Sequence, residues 1–579
     1  MSDQVNKGSG ISIALTGSGG AGVMTAGGML LEAAAKSGFY GLQTRSVGPQ
    51  IRGGEAAALL RLSNNPVEIH RGGFDILFAL DWSNFSRFAA EITLDESSVV
   101  IFDPDGGDVP DIVTAATKNI IELPIKKIAA DIKGGRMNMI ALGIVAGAID
   151  LPKETVLGLI VSKLASKGEA VLEASRACLE AGYSHSDAII NAPKLVETEK
   201  TSDVPRWLIT GNEAAALGAV RGGIKFAAAY PITPATEILE WLAPSLTAIG
   251  GNLVQAEDEL SSINMIIGAS YGGIPSITAT SGPGLALMTE SIGLATAAEV
   301  PVVIIDVMRG GPSTGIPTKS EQSDLNIAIY GLHGDAPHLV TAPFSVSDCL
   351  FTTQWSVHLA EAMQVPAIIL SDQFLGQAQM IIDKPADVAF FADRSKVEKI
   401  DTAYTRYALT ADGVSPMAIP GTAGGQYTAD GLEHSVTGTP SAAAEDHHDQ
   451  LAKRRRKIES FNYGTHWAEI EGEGDLVIVT WGSTAAPVRE AAELARAEGI
   501  SVKTIAVRLL APLRVEALEA ELAGARRVLV IEQNDLAQFY RYLRGHVDLP
   551  SDTRAYHHPG PMMLSTTEIL SEIMKEHRL

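Results

Sequence analysis

The stretch Ser276-Ile-Thr-Ala-Thr-Ser-Gly-Pro-Gly284 joins a predicted buried strand, Ser276–Thr280, to a glycine-proline turn. Similar apolar runs occur at Pro301–Val307 and Ala367–Leu370, and the first of these is also followed by a glycine-proline loop. Strands that alternate with helical segments are typical of parallel sheets. The sequence therefore predicts an α/β fold, in which ligands bind at the carboxyl ends of the strands.

This alternation extends along most of the 579-residue chain and predicts three α/β domains with parallel sheets. We expect them at residues 1–193, 206–400 and 471–579. The polar segment 194–205 lacks periodicity and is typical of a linker. Residues 401–470 are rich in Gly, Thr, Ala, Ser and His and are too long for an ordinary loop, so they are either a linker or a functional excursion.

Periodicity predicts further elements in all three domains. Strands are predicted at Ile11–Thr16, Ser98–Phe102, Leu476–Thr480, Val502–Val507 and Arg527–Glu532. Helices are predicted at Ala26–Ser37, Ala235–Leu242, Ala485–Glu498 and Val515–Leu522. We expect the strands to pair in parallel throughout.

Composition excludes several classes of protein. Lys and Arg number 45 and Asp and Glu 68, so the net charge is −23, which argues against a nucleic-acid or an anionic-membrane partner. The two cysteines, Cys178 and Cys349, are too few for a disulfide framework, a four-cysteine zinc site or an iron–sulfur cluster held by this chain alone. The start of the chain has no secretory pattern, and the apolar stretch Met139–Ile149 is shorter than the roughly 20 residues of a membrane span. We expect a cytoplasmic protein.

A glycine-rich turn follows the first predicted strand. Gly17, Gly19 and Gly22 fit the pattern G-x-G-x-x-G, with Gly20 between them, and bare amides at a helix start can bind an anion. A dinucleotide site also needs a carboxylate about 20 residues later, but Phe39–Arg45 contains none. A tight turn without a ligand, a site for another phosphate-bearing ligand and, less favourably, an NAD site remain open.

A second glycine-rich segment contains Arg52, Gly53 and Gly54. An arginine beside two glycines is suited to binding a phosphate. A solvated loop arginine is the alternative.

The central domain carries a proline-flanked threonine in Tyr230-Pro-Ile-Thr-Pro-Ala-Thr-Glu237. Two prolines restrict the backbone around Thr233, and Pro234 suits the first turn of a helix. Thr233 therefore lies near a strand end and could donate a hydrogen bond to a carboxylate. A helix cap or turn residue is the alternative.

Two further candidates are charged. Glu257, Asp258 and Glu259 open a helix whose remainder is small and apolar, and we expect Glu259 to be at least partly buried. A buried carboxylate is costly without a partner and suits a base or hydrogen-bond acceptor. Arg309 stands just beyond the strand Pro301–Val307, where it is either a carboxylate clamp or a solvated loop arginine.

The order of these motifs resembles a known family. Residues 230–325 contain YPITPATE, QAEDELSSINMIIGASYGG, TATSGPGLALM and MRGGPSTGIPTKSEQSDL, which resemble the α subunit of 2-oxoacid:ferredoxin oxidoreductases. The resemblance is to the 2-oxoglutarate type, in which a γ domain precedes the α subunit. GSGGAGV and SVGPQIRGGEAAALLRLS are similar to the γ domain, and LLAPLR and VLVIEQN are similar to a transketolase C-terminal domain.

The resemblance implies roles for specific residues. Glu259 matches the glutamate that bonds the aminopyrimidine ring nitrogen of thiamine diphosphate, with Pro231 and Ile232 in the same pyrimidine-type site. Thr233 and Arg309 match the residues that hold the 1-carboxylate of the substrate. The γ domain of the family is associated with coenzyme A, for which the candidate residues are Gly17, Gly19, Gly20, Gly22, Arg52, Gly53 and Gly54.

The implied activity belongs to EC class 1.2.7 and is CoA-dependent oxidative decarboxylation of 2-oxoglutarate to succinyl-CoA and CO2, with ferredoxin as the electron acceptor. A low-potential carrier also permits reductive carboxylation, as in CO2 fixation through the reductive TCA cycle. Pyruvate or a branched-chain 2-oxoacid is an alternative substrate. A non-catalytic scaffold subunit and an NAD-linked Rossmann enzyme are alternatives from other classes.

The resemblance also implies a partner. The sequence has no G-D-G run followed by an asparagine at the family spacing and no C-x-x-C. We therefore expect the Mg²⁺-diphosphate site and the [4Fe–4S] cluster in a separate β subunit, without which this chain is inactive, in an (αβ)2 heterotetramer that reduces ferredoxin through β. No metal site is expected in this chain.

Two polar runs have open interpretations. Lys453–Lys457 is most simply a solvated charge run, with a subunit contact or a CoA phosphate as alternatives. Glu532, Gln533 and Asn534 end a predicted strand and either cap the sheet or reach an interface or ligand.

Overall fold

The computed structural model describes residues 10–47, 56–83, 85–189, 191–195, 204–316, 319–400 and 403–578. Arg52, Gly53, Gly54 and most of the segment 194–205 lie outside the described residues. The chain forms two compact units, one of residues 1–209 with 378–386 and the other of residues 210–377 with 387–579. We refer to them as the first and the second unit.

The described residues form twenty strands and eighteen α-helices. The strands are β1 Gly10–Gly17, β2 Tyr40–Val47, β3 Ala56–Ser63, β4 Ile76–Ala79, β5 Val99–Phe102, β6 Ile120–Glu122, β7 Arg206–Thr210, β8 Phe226–Ala229, β9 Asn252–Gln255, β10 Ser276–Thr280, β11 Val303–Met308, β12 Leu339–Thr341, β13 Ala367–Asp372, β14 Gln379–Asp383, β15 Ala468–Glu471, β16 Leu476–Trp481, β17 Val502–Val507, β18 Leu509–Ala511, β19 Arg527–Glu532 and β20 Thr553–His557.

The helices connect and cover these strands. They are α1 Val23–Lys36, α2 Asp111–Ala116, α3 Ile125–Asp131, α4 Met137–Ala148, α5 Lys153–Leu164, α6 Glu169–Ser186, α7 Gly211–Gly222, α8 Thr236–Ala248, α9 Glu259–Tyr271, α10 Gly282–Ala297, α11 Leu325–Tyr330, α12 Val346–Met363, α13 Gln373–Gln377, α14 Ala444–Glu459, α15 Ala485–Ala497, α16 Val515–Leu522, α17 Gln538–His546 and α18 Thr566–Arg578.

The first unit contains a mixed eight-stranded sheet in the order β6-β5-β4-β1-β3-β2-β14-β7. The pairs β1–β4, β4–β5 and β5–β6 are parallel, whereas β1–β3, β2–β3 and β2–β14 are antiparallel. The expectation of parallel pairing throughout is therefore wrong here. Only residues 48–55 join β2 to β3, and a parallel pair needs a crossover of a dozen or more residues.

Helices α1, α4 and α6 form part of the apolar core of the first unit. The apolar stretch Met139–Ile149 lies almost entirely within α4, whose residues are nearly all buried. Helices α4 and α6 approach closely at two glycines, since a Cβ on Gly143 would lie 2.4 Å from the Leu179 carbonyl oxygen. In the described part of the chain, no helix combines the length and the apolar character needed to cross a membrane.

The second unit contains a seven-stranded and a five-stranded sheet. The seven-stranded order is β18-β12-β13-β11-β10-β8-β9, and its pairs are parallel except β12–β18 at one edge. The five-stranded order is β15-β17-β16-β19-β20, with only the edge pair β15–β17 antiparallel. The β18 edge strand lies beyond residue 470, so the C-terminal part of the chain also completes the central sheet.

The described part of residues 401–470 packs into the second unit and is not a linker. Arg406, Tyr407 and Met417 are fully buried, and Lys396 forms a bridge with Met417. Helix α14 follows and carries the run Lys453–Lys457. Two lysines of this run are buried, so its interpretation as a solvated charge run is wrong.

Candidate active site

The candidate residues of the central domain follow neighbouring strands of one sheet. Thr233 comes after β8, Glu259 after β9 and Arg309 directly after β11. Strand β10 lies between β11 and β8, and these four strands run parallel. Their carboxyl ends therefore lie at one edge, which is where α/β sheets bind ligands.

Arg309 and Thr233 are in direct contact at this edge. The Arg309 Nη1 atom donates a hydrogen bond to the backbone carbonyl of Thr233, with a donor–acceptor distance of 2.7 Å. The Thr233 side chain is exposed, and helix α8 begins three residues later with Ala235 as its N-cap. The interpretation of Thr233 as a helix N-cap is therefore wrong, and the Thr233 hydroxyl does not cap helix α8.

The guanidinium of Arg309 also has an unused donor. Its Nε atom is buried and has no hydrogen-bond partner among the described residues. Burial lowers the pKa of Arg309, and the charge of Asp324 acts in the opposite direction. Arginine remains a cation in proteins, so the side chain presents a fixed positive charge at the strand ends. This arrangement differs from that of a solvated loop arginine.

Pro231 and Ile232 form the turn that leads to Thr233. Both are partly buried, and the Ile232 carbonyl accepts a hydrogen bond from the Ala235 amide at 2.8 Å. The turn thus places backbone atoms beside Thr233 at the strand edge.

The three acids that open α9 have different environments. Asp258 is the N-cap, and its carboxylate accepts a hydrogen bond from the Ser261 amide at 2.7 Å, which lowers the pKa of Asp258. Glu257 is exposed, while Glu259 is only 7% exposed. This confirms the expected burial of Glu259. Among the described residues, none donates a hydrogen bond to the Glu259 carboxylate.

Glu259 packs against the start of α10, where only glycine fits. A Cβ on Gly284 would lie 2.0 Å from Thr280 Oγ1 and 2.7 Å from Glu259 Cγ. Thr280 is the last residue of β10, so strand β10 and helices α9 and α10 meet at this point. The glycine-proline turn of the opening motif therefore makes room for a buried carboxylate.

Two further carboxyl groups lie at the same strand ends. Asp306 is fully buried near the end of β11, and Asp324 precedes α11. A Cβ on Gly282, the first residue of α10, would lie 2.5 Å from Asp324 Oδ2. Neither aspartate was predicted from the sequence, although a lone aspartate inside the apolar run Pro301–Val307 is a signal of a buried carboxyl group.

Several buried polar atoms at this edge have no partner among the described residues. They are Thr278 Oγ1, Ser281 Oγ, both carboxylate oxygens of Asp306, Arg309 Nε, Ser323 Oγ and Asp324 Oδ2. Buried polar groups are normally satisfied, so the unpaired hydroxyl groups and the Arg309 donor indicate a place where a ligand supplies the missing partners. The residues present thus fit a polar organic cofactor and a substrate carboxylate.

The C-terminal part of the chain holds the loop that follows Arg309. Gln322 and Gln533 exchange two hydrogen bonds of 2.8 Å. The backbone amide of Gln322 donates to the backbone carbonyl of Gln533, and the backbone amide of Gln533 donates to the side-chain Oε1 of Gln322. Gln322 Nε2 also donates to the Trp481 carbonyl at 2.7 Å. Gln533 and Asn534 therefore contact the loop that follows Arg309. Glu532 instead accepts hydrogen bonds from the backbone amides of Phe539 and Tyr540 at the start of α17.

The glycine-rich turn of the first unit is partly occupied by a side chain of the protein. The Ser18 amide and hydroxyl both donate to Asp81, each at 2.8 Å. Gly22 is the N-cap of α1 with φ of 80°, and a Cβ there would lie 2.4 Å from Asn138 Nδ2. The Ser18 amide is therefore not available to an anion, while Gly19 and Gly20 lie at the surface of the turn.

Three family models match the chain in sequence order. Residues 12–185 match pyruvate ferredoxin/flavodoxin oxidoreductase. Residues 217–453 match the thiamine diphosphate-binding domain of pyruvate flavodoxin/ferredoxin oxidoreductase. Residues 466–537 match the transketolase C-terminal domain. The three α/β regions of the fold thus each match one family model.

Individual proteins show the same similarity. The chain is 36% identical to 2-oxoglutarate synthase subunit KorA of Methanothermobacter marburgensis, over 58% of this chain and 90% of that protein. It is 33% identical to 2-oxoglutarate oxidoreductase subunit KorA of Mycobacterium tuberculosis, over 78% and 71%. The structure of 2-oxoglutarate:ferredoxin oxidoreductase from Magnetococcus marinus, with 2-oxoglutarate, coenzyme A and succinyl-CoA bound, superposes with a TM-score of 0.91 and 35% identity, covering 98% of this chain and 99% of that one.

Proposed function

Because the chain belongs to the 2-oxoacid:ferredoxin oxidoreductase family, we propose that it is the γ-fused α subunit of an enzyme that acts on 2-oxoglutarate. The reaction is CoA-dependent oxidative decarboxylation to succinyl-CoA and CO2, with ferredoxin as the electron acceptor. The reverse reaction, a reductive carboxylation, uses the same site. The names of two relatives and the ligands of the Magnetococcus marinus structure support this choice of substrate.

The observation that carries the proposal is the meeting of Glu259, Thr233 and Arg309 at one sheet edge, inside the region that matches a thiamine diphosphate-binding domain. Bound thiamine diphosphate supplies the chemistry that stabilises the electron pair left when CO2 departs. Glu259 would accept a hydrogen bond from its aminopyrimidine ring, because this carboxylate is buried and receives no hydrogen bond from a described residue. Pro231 and Ile232 would line the same part of the site.

The substrate carboxylate would be held by Arg309 and Thr233. The hydrogen bond from Arg309 Nη1 to the Thr233 carbonyl holds the guanidinium against the backbone of Thr233. The unused Nε donor and the Thr233 hydroxyl could then bind the 1-carboxylate until it leaves as CO2. These two residues bind a group that all 2-oxoacids share, so selection of 2-oxoglutarate needs a further cation for the distal carboxylate.

Coenzyme A would bind through the γ-type domain. The candidate residues remain Gly17, Gly19, Gly20, Gly22, Arg52, Gly53 and Gly54, of which the last three lie outside the described residues. Asp81 already binds the Ser18 amide and repels an anion, so Gly19 and Gly20 are the stronger candidates within the turn. We also propose that the domain boundaries are 1–193, 206–400 and 471–579.

The remaining parts of the enzyme would come from a β subunit. Within the described residues, no group of three or more His, Cys, Asp or Glu side chains could hold a metal ion, and Cys178 and Cys349 are both buried. We propose that β supplies the Mg²⁺-diphosphate site and the [4Fe–4S] cluster and passes electrons to ferredoxin. The assembly is an (αβ)2 heterotetramer that works in the cytoplasm.

Co-purification with the β subunit tests this proposal. The complex is assayed for viologen reduction with 2-oxoglutarate, pyruvate and a branched-chain 2-oxoacid, with and without CoA and thiamine diphosphate. We expect activity that requires both cofactors and a highest kcat/KM for 2-oxoglutarate. Preference for pyruvate would contradict the substrate, NAD reduction without thiamine diphosphate would support a Rossmann enzyme, and inactivity with every substrate would indicate a scaffold.

A further inference from the structure

The carboxyl group of Asp306 is buried in the middle of the seven-stranded sheet. It is fully buried on β11, opposite Thr280 of β10 and Leu370 of β13. Neither of its oxygens accepts a hydrogen bond from a donor group among the described residues. An isolated ionised carboxylate in such a place is costly, so this group needs either a proton or a partner.

The charged neighbour of Asp306 is Asp324. Asp306 lies opposite Thr280, and a Cβ on Gly282, two residues further along, would lie 2.5 Å from Asp324 Oδ2, so the two carboxyl groups meet at the end of β10, where they interact. Two carboxyl groups can hydrogen-bond each other only if one of them carries a proton. Burial and the mutual repulsion raise the pKa of Asp306, and burial raises the pKa of Asp324 to about 7. The aspartate pair, Asp306 and Asp324, thus holds at least one proton at neutral pH.

The aspartate pair adjoins the proposed substrate clamp. Asp324 interacts electrostatically with Arg309 and with Glu321, and its Oδ2 atom lies beside Gly282 at the start of α10. With one shared proton the pair has a charge of −1, which balances the +1 of Arg309. A bound substrate carboxylate would add a second negative charge to this group.

We propose that Asp306 and Asp324 share a proton, hold Arg309 in position, and take up a further proton when the 1-carboxylate of a 2-oxoacid binds. The inference rests on the proposed function, since it takes Arg309 as the carboxylate clamp. The pair makes no bond to substrate. The added proton neutralises the pair, so that the substrate carboxylate balances the charge of Arg309 instead. This proton returns to solvent when CO2 leaves, because the negative charge of the carboxylate then moves away from Arg309.

The pair differs from other buried carboxyl groups of this unit. Asp348 is 7% exposed, but Arg508 binds it through Nη2 at 2.8 Å and Nε at 3.2 Å, and Thr352 donates at 2.9 Å. A carboxylate with a complete set of donors has no reason to exchange protons with solvent. The variant Asp348→Asn is therefore the matched control.

Isothermal titration of 2-oxoglutarate into the αβ complex without thiamine diphosphate measures the proton directly, because no turnover occurs. Titrations at pH 7.5 in buffers of different ionisation enthalpy give the number of protons taken up per site. We expect about half a proton or more for the wild type and for Asp348→Asn, and almost none for Asp324→Asn. Asp306→Asn provides a second variant with the same expectation if Asp324→Asn does not fold.

Binding without proton uptake in the wild type, or equal uptake in wild type and both pair variants, would overturn the inference while leaving the proposed function intact. If 2-oxoglutarate does not bind, the same titration with pyruvate applies, since only the 1-carboxylate matters. Failure of every 2-oxoacid to bind would overturn the proposed function as well.

Discussion

Two groups of buried charges in the second unit are built in opposite ways. The first, which we call the glutamate cluster, consists of Glu299, Lys453, Lys457 and Arg406. The second is the set of carboxyl groups at the strand ends, Glu259, Asp306 and Asp324. The glutamate cluster is supplied with partners from within the chain, whereas the strand-end carboxyl groups are not.

The glutamate cluster joins helix α14 to the end of α10. Lys453 Nζ lies 2.5 and 2.6 Å from the two carboxylate oxygens of Glu299, and Lys457 Nζ lies 3.0 Å from one of them. Arg406 donates to the Glu299 carbonyl at 2.9 Å and to Gln364 Oε1 at 2.8 Å. Although burial acts in the opposite direction, the charges of the two lysines and Arg406 hold the pKa of Glu299 well below its usual range.

The strand-end carboxyl groups lack such hydrogen-bond donors. No described residue donates a hydrogen bond to Glu259 or to either carboxylate oxygen of Asp306, whose charged neighbour is Asp324. Glu299, which we expect to serve stability, thus has a full set of charged partners within the chain. The carboxyl groups that lack donors lie at the sheet edge where we propose that a cofactor and a substrate bind.

The largest effect is expected from Glu259→Gln in the αβ complex. A glutamine keeps the shape but cannot act as a charged acceptor, so turnover should fall by about 10²–10⁴-fold while the complex still assembles. Steady-state viologen reduction and size-exclusion chromatography measure the two properties. Glu257→Gln is the control, since Glu257 is exposed two residues earlier, and it should keep nearly normal turnover. Near-normal turnover of Glu259→Gln would remove Glu259 from the site.

Glu299→Gln should instead act on stability. Removing the carboxylate leaves two buried lysines without their counter-charge, which costs about 3 to 5 kcal/mol. We expect a lower midpoint of urea unfolding and an unchanged turnover per folded complex. Glu459→Gln removes an exposed glutamate that pairs with Arg455 on α14, the helix that carries the two lysines, and should lower the free energy of unfolding by less than about 0.5 kcal/mol. Equal shifts in the two variants would contradict the importance of the glutamate cluster.

Gly284→Ala should disturb the strand-end site without removing any of its charges. The added methyl group would overlap Thr280 Oγ1 and Glu259 Cγ, and relieving such overlap costs about 1 to 3 kcal/mol. We expect turnover to fall by about 10- to 100-fold as Glu259 shifts. In the same helix, a Cβ on Gly293 meets no atom within 4 Å among the described residues, so Gly293→Ala should be nearly neutral. Loss of activity in both variants would indicate a general effect on α10.

The smallest expected effect is a pH dependence of the glutamate cluster. The carboxylate of Glu299 has a lowered pKa in the fold, so its contribution to stability is complete above its ordinary value of 4.5 and is lost as the pH falls through the lowered value. Burial lowers the pKa of Lys457 to about 7, so this lysine is protonated below pH 5 and adds no slope there. The unfolding midpoint of the wild type should fall more steeply between about pH 5 and pH 3 than that of Glu299→Gln. Parallel curves would contradict the ion pairing.

Local patterns predicted much of the fold from the sequence. The strands Ser276–Thr280, Val502–Val507 and Arg527–Glu532 and the helix Val515–Leu522 have the predicted bounds, because short apolar runs between turns identify buried strands well. The antiparallel pairs of the first unit were not predicted, because strand direction depends on which strands become neighbours. The edge position of β18 in the central sheet was missed for the same reason.

The candidate site was predicted in part. Burial of Glu259 was expected from its apolar helix and is confirmed, and the strand order brings Thr233 and Arg309 together. The aspartate pair and the glutamate cluster were missed, since each joins residues that are distant in sequence. Glu299 and Asp306 are lone acids within apolar runs, and this pattern is a signal that such residues are buried.

The most direct test measures both turnover and unfolding for Glu259→Gln and Glu299→Gln in the same αβ complex. If the strand-end carboxyl groups serve chemistry and the glutamate cluster serves stability, the first variant loses turnover and keeps its unfolding midpoint. The second then keeps its turnover per folded complex and loses stability. Loss of the same property in both variants, or turnover of 2-oxoglutarate by Glu259→Gln at the wild-type rate, would contradict these separate roles.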